Sequence, residues 1–483
     1  MAKYEYDIGV IGGGAAGLTV AAGAAQLGVK TVLLEKTPTL GGDCLHTGCV
    51  PSKTLIKTAS VYHNMKYAEQ YGLPGVELPP VDMAGVNRRI KEVIDAIQVH
   101  DSEERFCGLG VKVIFGEASF EDDHVVNCSG QRISAKFWVL ATGSHPSAPP
   151  IPGLSDVKYL TNEDLFSLPA LPGSLVVLGG GPIGCEMAQA FNRLGSDVRI
   201  IQRNTQLLSA EDPDMAQVIQ QSLAAEGVHL DLGTATRSIR SVSGGVEVEY
   251  EQDGKAHVVQ VETLLVAAGR SPSVESLKLE NCGVEYDRKG VRTDDRLRTT
   301  RKHIFAAGDV LGRYRFTHAA GYEGGIVISN AVFRLPRKVD YTWLPWCTFT
   351  EPELASVGMN EKRAQEAGLE YTVWEESFSD NDRARAEGVI GGKVKLILNK
   401  KEKPLGVQIA GIHAGELIGE WVAATNGKVG LATLASAVHP YPTVGEINKR
   451  VAGKVLSPKL FSDKVRKTLG FLFDYKGRAC TLD

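Results

Sequence analysis

The pattern that most restricts this chain is a strand, a glycine turn, a helix, a second strand and an acid, all within the first 35 residues. Tyr6–Val10 is a short apolar strand. Gly12-Gly13-Gly14-Ala15-Ala16-Gly17 follows, then a small-residue helix from Leu18 to Leu27 and a strand from Thr31 to Leu34 that ends in Glu35. Gly12, Gly14, Ala15, Ala16 and Gly17 fit G-x-G-x-x-G. Such glycines let the backbone approach a pyrophosphate, which rests on the N–H groups at the helix start. Glu35 is placed to accept a hydrogen bond from a ribose hydroxyl. A mere tight turn would need none of the flanking elements, so a dinucleotide site in an α/β sheet is expected.

The pattern repeats. Leu175–Leu178 is a strand, followed by Gly179-Gly180-Gly181-Pro182-Ile183-Gly184, a helix from Cys185 to Leu194 and a strand from Asp197 to Ile201. Gly179, Gly181, Ile183 and Gly184 form the second loop. Here the strand ends on Gln202 and Arg203 instead of an acid. A carboxylate would favour NAD, whereas an Arg can hold a 2′-phosphate. NADPH is therefore expected, with NADH as the alternative if Arg203 is an ordinary surface residue. Two dinucleotides on one chain imply electron transfer between them.

Three further stretches look built for close approach to a cofactor. The strand Phe137–Leu140 runs into Ala141-Thr142-Gly143, and the strand Leu264–Ala268 runs into Gly269. The stretch from Thr299 closes on Gly308-Asp309, where an acid at a strand's C-terminal end can meet a cofactor hydroxyl or cap the next helix. Pro146, Pro149, Pro150 and Pro152 form a stiff connector and a domain boundary.

Between the two repeats lies Gly41-Gly42-Asp43-Cys44-Leu45-His46-Thr47-Gly48-Cys49-Val50-Pro51-Ser52-Lys53. Along a regular helix, positions i and i+5 point about 140° apart, so Cys44 and Cys49 can meet only across a distorted turn. Pro51 suits a first helical turn, and a thiol at a helix N-terminus is more readily a thiolate. A redox pair is expected. Helices are read at Ser52–Gln70 and Val86–Cys107. Strands are read at Val111–Phe115 and Val125–Cys128, and, past a composition shift near Asp340, at Val394–Leu398 and Leu405–Ile412.

Composition bounds the rest. A chain of 483 residues should hold two to four domains. A net charge of −4 gives no field for nucleic acid, and eight cysteines are too few for a disulfide scaffold. The N-terminus has no apolar signal core, and no apolar run reaches the roughly 20 residues needed to cross a bilayer. A cytoplasmic location is expected, where a Cys pair is more often catalytic than structural. No resident metal is expected.

In this order, the motifs resemble those of the flavoprotein disulfide reductases, a family including dihydrolipoamide dehydrogenase, glutathione reductase and mercuric reductase. The resemblance covers residues 4 to about 450. Its most specific part is G-G-x-C-x4-G-C-V-P-S-K at 41–53, with Asp43 where Thr is usual and His46-Thr47 where Asn-Val is common. The resemblance implies an α/β fold with two Rossmann-like domains plus a C-terminal α+β dimerisation domain. FAD would occupy 1–152 and 273–340, NAD(P)H 153–272, and 341–483 would form a homodimer interface with an extended tail. It also implies roles: Cys44 as the interchange thiol, Cys49 as the thiol beside the flavin, Lys53 near the flavin with Glu186 as its ion-pair partner, and Asp309 on the ribityl chain. Hydride would pass from NADPH to FAD, then electrons to Cys44–Cys49 and on to the acceptor.

Disulfide-reducing members carry H-P-T-x-x-E near the C-terminus, reaching the partner's Cys pair. Here the run is His439-Pro440-Tyr441-Pro442-Thr443-Val444-Gly445-Glu446. Aligning Pro442-Thr443 and Glu446 puts Tyr441 at the base position unless His439 turns inward. A phenol of pKa about 10 is a poorer shuttle than an imidazole near 6.5. Mercuric reductases also have Tyr there, and their metal substrate has no leaving thiol to protonate. They end in adjacent cysteines, however, and this chain has Cys480 alone, which is open to three roles: shuttle thiol, single metal ligand or exposed tail cysteine. No counterpart of the small N-terminal metal-carrying domain of some members is expected.

The expected acceptor is thus a thiol, disulfide or thiol-bound metal ion, with mercuric-reductase-like chemistry ahead of dihydrolipoamide-type disulfide exchange. A slow redox-sensing flavoprotein is the alternative of another class. It draws on the tail, where Leu460, Phe461, Val465, Leu469, Leu472 and Phe473 recur at near-helical spacing among Lys459, Lys464, Arg466, Lys467 and Lys476. Such a helix can rest on an anionic membrane surface; packing on its own or a partner subunit is the preferred reading.

Overall fold

The computed structural model describes residues 4–480. Met1–Lys3, the start of the stretch read as lacking a signal core, and Thr481–Asp483 at the tail's end lie outside the described residues. The chain divides into two compact units: one through Thr205 together with Ala224–Tyr341, the other Gln206–Leu223 together with the chain from Thr342.

The first unit is built on two sheets, the smaller parallel and the larger parallel except for Val125–Cys128 and Ala118–Phe120, which add antiparallel beyond Gln131–Leu140. In the larger, Val111–Phe115, Thr31–Glu35, Tyr6–Ile11 and Gln131–Leu140 lie side by side, with Ile304–Ala306 also beside Gln131–Leu140. The register sets Val10 against Leu33 on one side and Val139 on the other. Tyr6–Ile11 and Thr31–Glu35, at the centre, are largely apolar because both faces are covered; Val32, Leu33 and Leu34 are each at most 1% exposed. A Cβ on Gly9 would lie 2.2 Å from the Trp138 ring, so a glycine in the central strand makes room for a wholly buried indole.

The second sheet runs His229–Leu232, Asp197–Gln202, Ser174–Leu178, Thr263–Val266, all parallel. A three-stranded antiparallel meander of Ala235–Val242, Gly245–Gln252 and Lys255–Val261 follows His229–Leu232 in the chain. It carries no glycine signature, and the sequence reading missed it.

Two expected helices change bounds. The one read from Ser52 begins at Cys49 and ends at Lys66. The one read over Val86–Cys107 is two helices, Met83–Gln98 and Glu103–Gly108. Ser102 divides them: its hydroxyl accepts from Arg105 N at 3.2 Å and starts a fresh helix.

The second unit is a five-stranded antiparallel sheet in the order Pro345–Thr348, Glu353–Gly358, Pro404–Gly411, Lys393–Asn399, Tyr371–Ser377. Helices Ala414–Asn426 and Glu446–Leu460 cover it. The segment Gln206–Leu223, which the sequence reading kept within 153–272, groups with this unit. Its acids explain why. The Glu211 carboxylate accepts from Trp346 Nε1 at 2.5 Å, Ser356 Oγ at 2.7 Å and Gln408 Nε2 at 2.7 Å. Lys395, 1% exposed, is met by Asp214 at 2.5 Å, Glu361 at 2.7 Å and Asp212 at 3.3 Å. The basic tail forms a helix, Asp463–Phe473, capped by Ser462. Its apolar groups do not pack on this chain: Phe471 is 88% exposed and Leu472 61%. Among the described residues no helix is long and apolar enough to cross a membrane.

Lys395→Met should lower stability by about 3–5 kcal/mol, because it leaves the buried Asp212 carboxylate without its cation. Against burial, Lys393 and then Lys395 hold the Asp214 carboxyl below its usual range, so the Lys395 share of this stabilisation is present above the unfolded Asp value of about 3.9 and is lost as pH falls through the lower folded value. Urea denaturation should therefore show a smaller deficit for the variant at about pH 2.5 than at pH 8.

Candidate functional site

The cysteine stretch folds as two helical pieces with a break. Gly42–His46 is a short helix, and a new helix starts at Cys49. Gly48 permits the fold-back: a Cβ there would lie 2.8 Å from Asp43 O. The break brings the two thiols into hydrogen-bonding contact, and Cys49 Sγ also lies 3.5 Å from Thr317 Oγ1. The contact makes the pair unequal. Cys44's hydrogen bond holds the Cys49 thiol down at about 6, with Thr317 and the Lys53 charge acting the same way against burial. Cys44 is pushed up by that hydrogen bond to Cys49, and next by burial.

Lys53 lies one turn beyond Cys49 and points the same way. Its Nζ is 2.8 Å from Glu186 Oε2, on the helix Pro182–Leu194 of the second repeat. Glu186 is 4% exposed and Lys53 36%.

The departures within the Cys loop answer one another. Thr47 Oγ1 donates to Asp43 Oδ1 at 2.6 Å, and His46 Nε2 lies 2.9 Å from Leu40 O. Asp43 also pairs with Arg270 at 3.1 Å and accepts from Asn162 Nδ2 at 3.1 Å. Arg270 donates onward to Ser144 Oγ at 2.8 Å, and Ser144 Oγ to Asp309 Oδ2 at 2.7 Å. A continuous polar chain thus joins the Cys loop to Asp309, whose carboxyl burial pushes up. The turn before Asp309 is held by Glu323, which accepts from Gly308 N at 2.6 Å. Arg270, Asn162, Ser144, Thr317 and Glu323 escaped the sequence reading. An acid at 43 in place of the usual Thr was the one signal pointing to a cation such as Arg270.

The two glycine loops repeat one geometry. A Cβ on Gly12 would lie 2.2 Å from Ala141 O, and one on Gly179 would lie 2.6 Å from Ala267 O. A Cβ on Gly17 or Gly184 would meet the carbonyl of Gly12 or Gly179 at 1.8 or 2.0 Å. Glu35 Oε2 accepts from Gly13 N at 2.6 Å, and Gln202 Oε1 accepts from Gly180 N at 3.1 Å. Gln202 is therefore the counterpart of Glu35, and Arg203 beside it is exposed.

Both loops fit a dinucleotide. The helix from Ala15 has no side-chain cap, so its first N–H groups are available to a phosphate. Gly14 faces Gly42, whose Cβ would lie 2.8 Å from Gly14 Cα, leaving backbone on both sides of the approach. Pro182 begins the second helix, also without a side-chain cap, and Ile183 is 41% exposed. Thr142 Oγ1 donates to Ser273 O at 2.6 Å, Ser273 N donates to Gly143 O at 3.0 Å, and Ser147 N donates to Gly269 O at 3.1 Å. These bonds fix the strand ends at Ala141–Gly143 and Gly269.

Tyr441, Glu446, His439 and Cys480 belong to the second unit. Tyr441 is 70% exposed and donates to Asp382 Oδ2 at 3.1 Å, a bond that raises its pKa. His439 is turned away into its own unit: Nε2 lies 3.0 Å from Glu420 Oε1, and Glu420 Oε2 accepts from Asn448 Nδ2 at 2.9 Å. Glu446 begins the helix Glu446–Leu460, and Cys480 is exposed.

Comparison with known proteins agrees with these features. The family described as pyridine nucleotide-disulphide oxidoreductase matches residues 6–324, and its dimerisation domain matches residues 344–452. A mercuric reductase of Bacillus cereus is 34% identical over 446 residues, covering 92% of this chain and 70% of that enzyme. A dihydrolipoyl dehydrogenase of Bacillus subtilis is 34% identical over 455 residues, covering 93% and 96%. Among solved structures, the HOCl-induced flavoprotein disulfide reductase RclA of Escherichia coli superposes with a TM-score of 0.84 at 29% identity, covering 93% of this chain and 100% of that one. Two glycine cradles, a thiol pair on a helix start and a dimerisation-type sheet stand here in one order, and the chain belongs to the pyridine nucleotide-disulphide oxidoreductases, a family of flavoenzymes.

Proposed function

We propose that the chain is an NADPH-dependent reductase of thiol-bound metal ions, of the Hg²⁺ type, acting through Cys44–Cys49 as a homodimer. The observation that carries this reading is the commitment of His439 to Glu420 at 3.0 Å, which leaves Tyr441 at the position where disulfide-reducing relatives keep an imidazole. A phenol with a raised pKa stays protonated and is a poor proton shuttle near neutrality. Reduction of a metal ion needs no protonated leaving thiol. The mercuric reductase relatives and the Cu(II) complex of RclA agree with a metal acceptor. Homodimerisation is supported by the matched dimerisation domain.

FAD would be held by Gly12, Gly14, Ala15, Ala16, Gly17 and Glu35 toward one end and by Ala141–Gly143, Gly308, Asp309 and Lys53 toward the other, and when bound it supplies a two-electron carrier between nicotinamide and disulfide. NADPH fits the loop of Gly179, Gly181, Ile183 and Gly184, with Gly269 near the nicotinamide end and Arg203 toward a 2′-phosphate. The neutral Gln202 in the place of Glu35 removes the carboxylate that would repel that phosphate. The protein's own residues then act on the sulfurs. Two electrons open the Cys44–Cys49 disulfide. The low pKa of Cys49 lets it remain thiolate, and Cys44 keeps the proton until the acceptor binds. When the dithiol passes two electrons to Hg²⁺, the sulfurs rejoin and the proton leaves Cys44.

One observation favours a disulfide acceptor instead: Cys480 is a single thiol, and soft metals gain from paired sulfur ligands. NADPH consumption with Hg²⁺ in excess thiol, measured beside the same assay with lipoamide, separates the two. The metal should be turned over faster; rapid turnover of lipoamide alone contradicts the reading. Cys44→Ala should abolish acceptor reduction while stopped-flow bleaching of the flavin by NADPH persists. In the two-electron-reduced enzyme, charge-transfer absorbance should fall as pH drops through about 6. Lys53→Met, which removes a charge that lowers Cys49, should move that midpoint upward.

A further inference from the structure

The helix Asp463–Phe473 and the chain after it lie beyond residue 452, where the match to the dimerisation domain ends. Successive residues on a helix turn by about 100°. Phe471, Leu472 and Phe473 therefore ring the axis at the helix end instead of sharing one face, and all three are exposed. Asp474, in the left-handed region at φ 53°, ends the helix and turns the chain. Tyr475 follows, also exposed, its ring 5.8 Å from that of Phe473. A Cβ on Gly470 would lie 3.8 Å from Tyr475 O, so the chain returns beside the last helical turn. The product is a compact apolar tip, left uncovered by the described residues.

Cations flank the tip on both sides. Lys464, Arg466 and Lys467 precede Phe471 by four to seven residues, about 6–10 Å along the helix axis. Lys476 and Arg478 follow the turn. Arg466 is met by Asp463. Lys464, Lys467, Lys476 and Arg478 are exposed and make no ion pair among the described residues. Asp474, the one acid within the tip, has Lys476 two residues on. The net field around the tip is therefore positive and open to an anionic partner.

The arrangement fits one kind of surface. A second protein surface covers one side of a helix, whereas an apolar ring around a helix end is covered all round by a phase it dips into. Interfacial segments enter the boundary between headgroups and acyl chains by about 5–10 Å, the same depth that separates this tip from its cations. With Phe471, Leu472 and Phe473 at that depth, Lys464 and Lys467 stand level with the lipid phosphates. Each cation near an anionic membrane surface adds to the attraction.

We propose that this tip docks the enzyme on the surface of an anionic phospholipid bilayer, without spanning it. The redox centre takes no part in the contact, so the inference is independent of the acceptor.

The test uses the full-length holoenzyme. It is sedimented with vesicles of phosphatidylcholine and phosphatidylglycerol in equal parts, and separately with vesicles of phosphatidylcholine alone. Partitioning into the anionic vesicles should be stronger by about tenfold or more, and high salt should release the enzyme. Phe471→Ser/Phe473→Ser and Lys464→Gln/Lys467→Gln should each lower that partitioning by about tenfold. Flavin reduction by NADPH should be unchanged in both, which also shows that the exposed substitutions leave the fold intact. Absence of binding, equal binding to both kinds of vesicle, or full binding by either variant overturns the proposal. So does a lower mass of the lipid-free Phe471→Ser/Phe473→Ser enzyme in analytical ultracentrifugation, because a second copy would then be what covers the tip.

Discussion

The ion pair between Lys53 and Glu186 ties the two repeats of the first unit together. Glu186 is 4% exposed, and a buried carboxylate stripped of its cation is costly, by about 3–5 kcal/mol when one partner is removed. Lys53 must therefore come to it. Lys53 sits one turn beyond Cys49, so the same contact fixes the helix that presents the thiol. Its cation also helps to lower the Cys49 pKa. One interaction thus sets where the sulfur stands and favours its ionised form.

The inequality of the two thiols follows from a broken helix. A continuous helix would turn Cys44 and Cys49 apart. The break at Thr47-Gly48 brings them together, and Cys44's hydrogen bond then stabilises charge on Cys49 at its own expense. The loop that holds this shape is tied at Asp43 to Thr47, Asn162 and Arg270, and through Ser144 to Asp309. Substituting Asp43 alone would strand the Arg270 guanidinium, 13% exposed, so the unusual acid and its partners act as a unit.

Much of this was legible from residues close in sequence. The glycine loops, Glu35 and the Cys stretch are local patterns whose physics, close backbone approach and a helix start, shows at fixed spacing. The Gln202 counterpart of Glu35 was visible as a missing acid. Long-range pairings were not legible: Arg270 with Asp43 spans the whole nucleotide-binding repeat, and nothing at either residue names the other. The same holds for Gln206–Leu223. Its acids read as an ordinary polar stretch until the buried Lys395, in a strand far along the chain, is seen among Asp212, Asp214 and Glu361. The split of the expected helix at Ser102 was missed for the opposite reason, because apolar periodicity runs across a local cap that the pattern outweighs.

In the reading we propose, the choice of acceptor turns on residues of the second unit. His439 is bound to Glu420 in the described chain, and Tyr441 is held by Asp382. An exposed phenol of raised pKa can orient a ligand but exchanges its proton poorly. The enzyme, as we propose it, is a thiol relay without an acid–base partner for a leaving thiol. The most direct measurement is disulfide reductase turnover in Tyr441→His, with lipoamide as acceptor. If the missing imidazole is what limits the native enzyme, turnover should rise by about 100-fold and acquire a pH dependence near 6.5. A wild-type enzyme that already reduces lipoamide rapidly, with no gain in the variant, would contradict it.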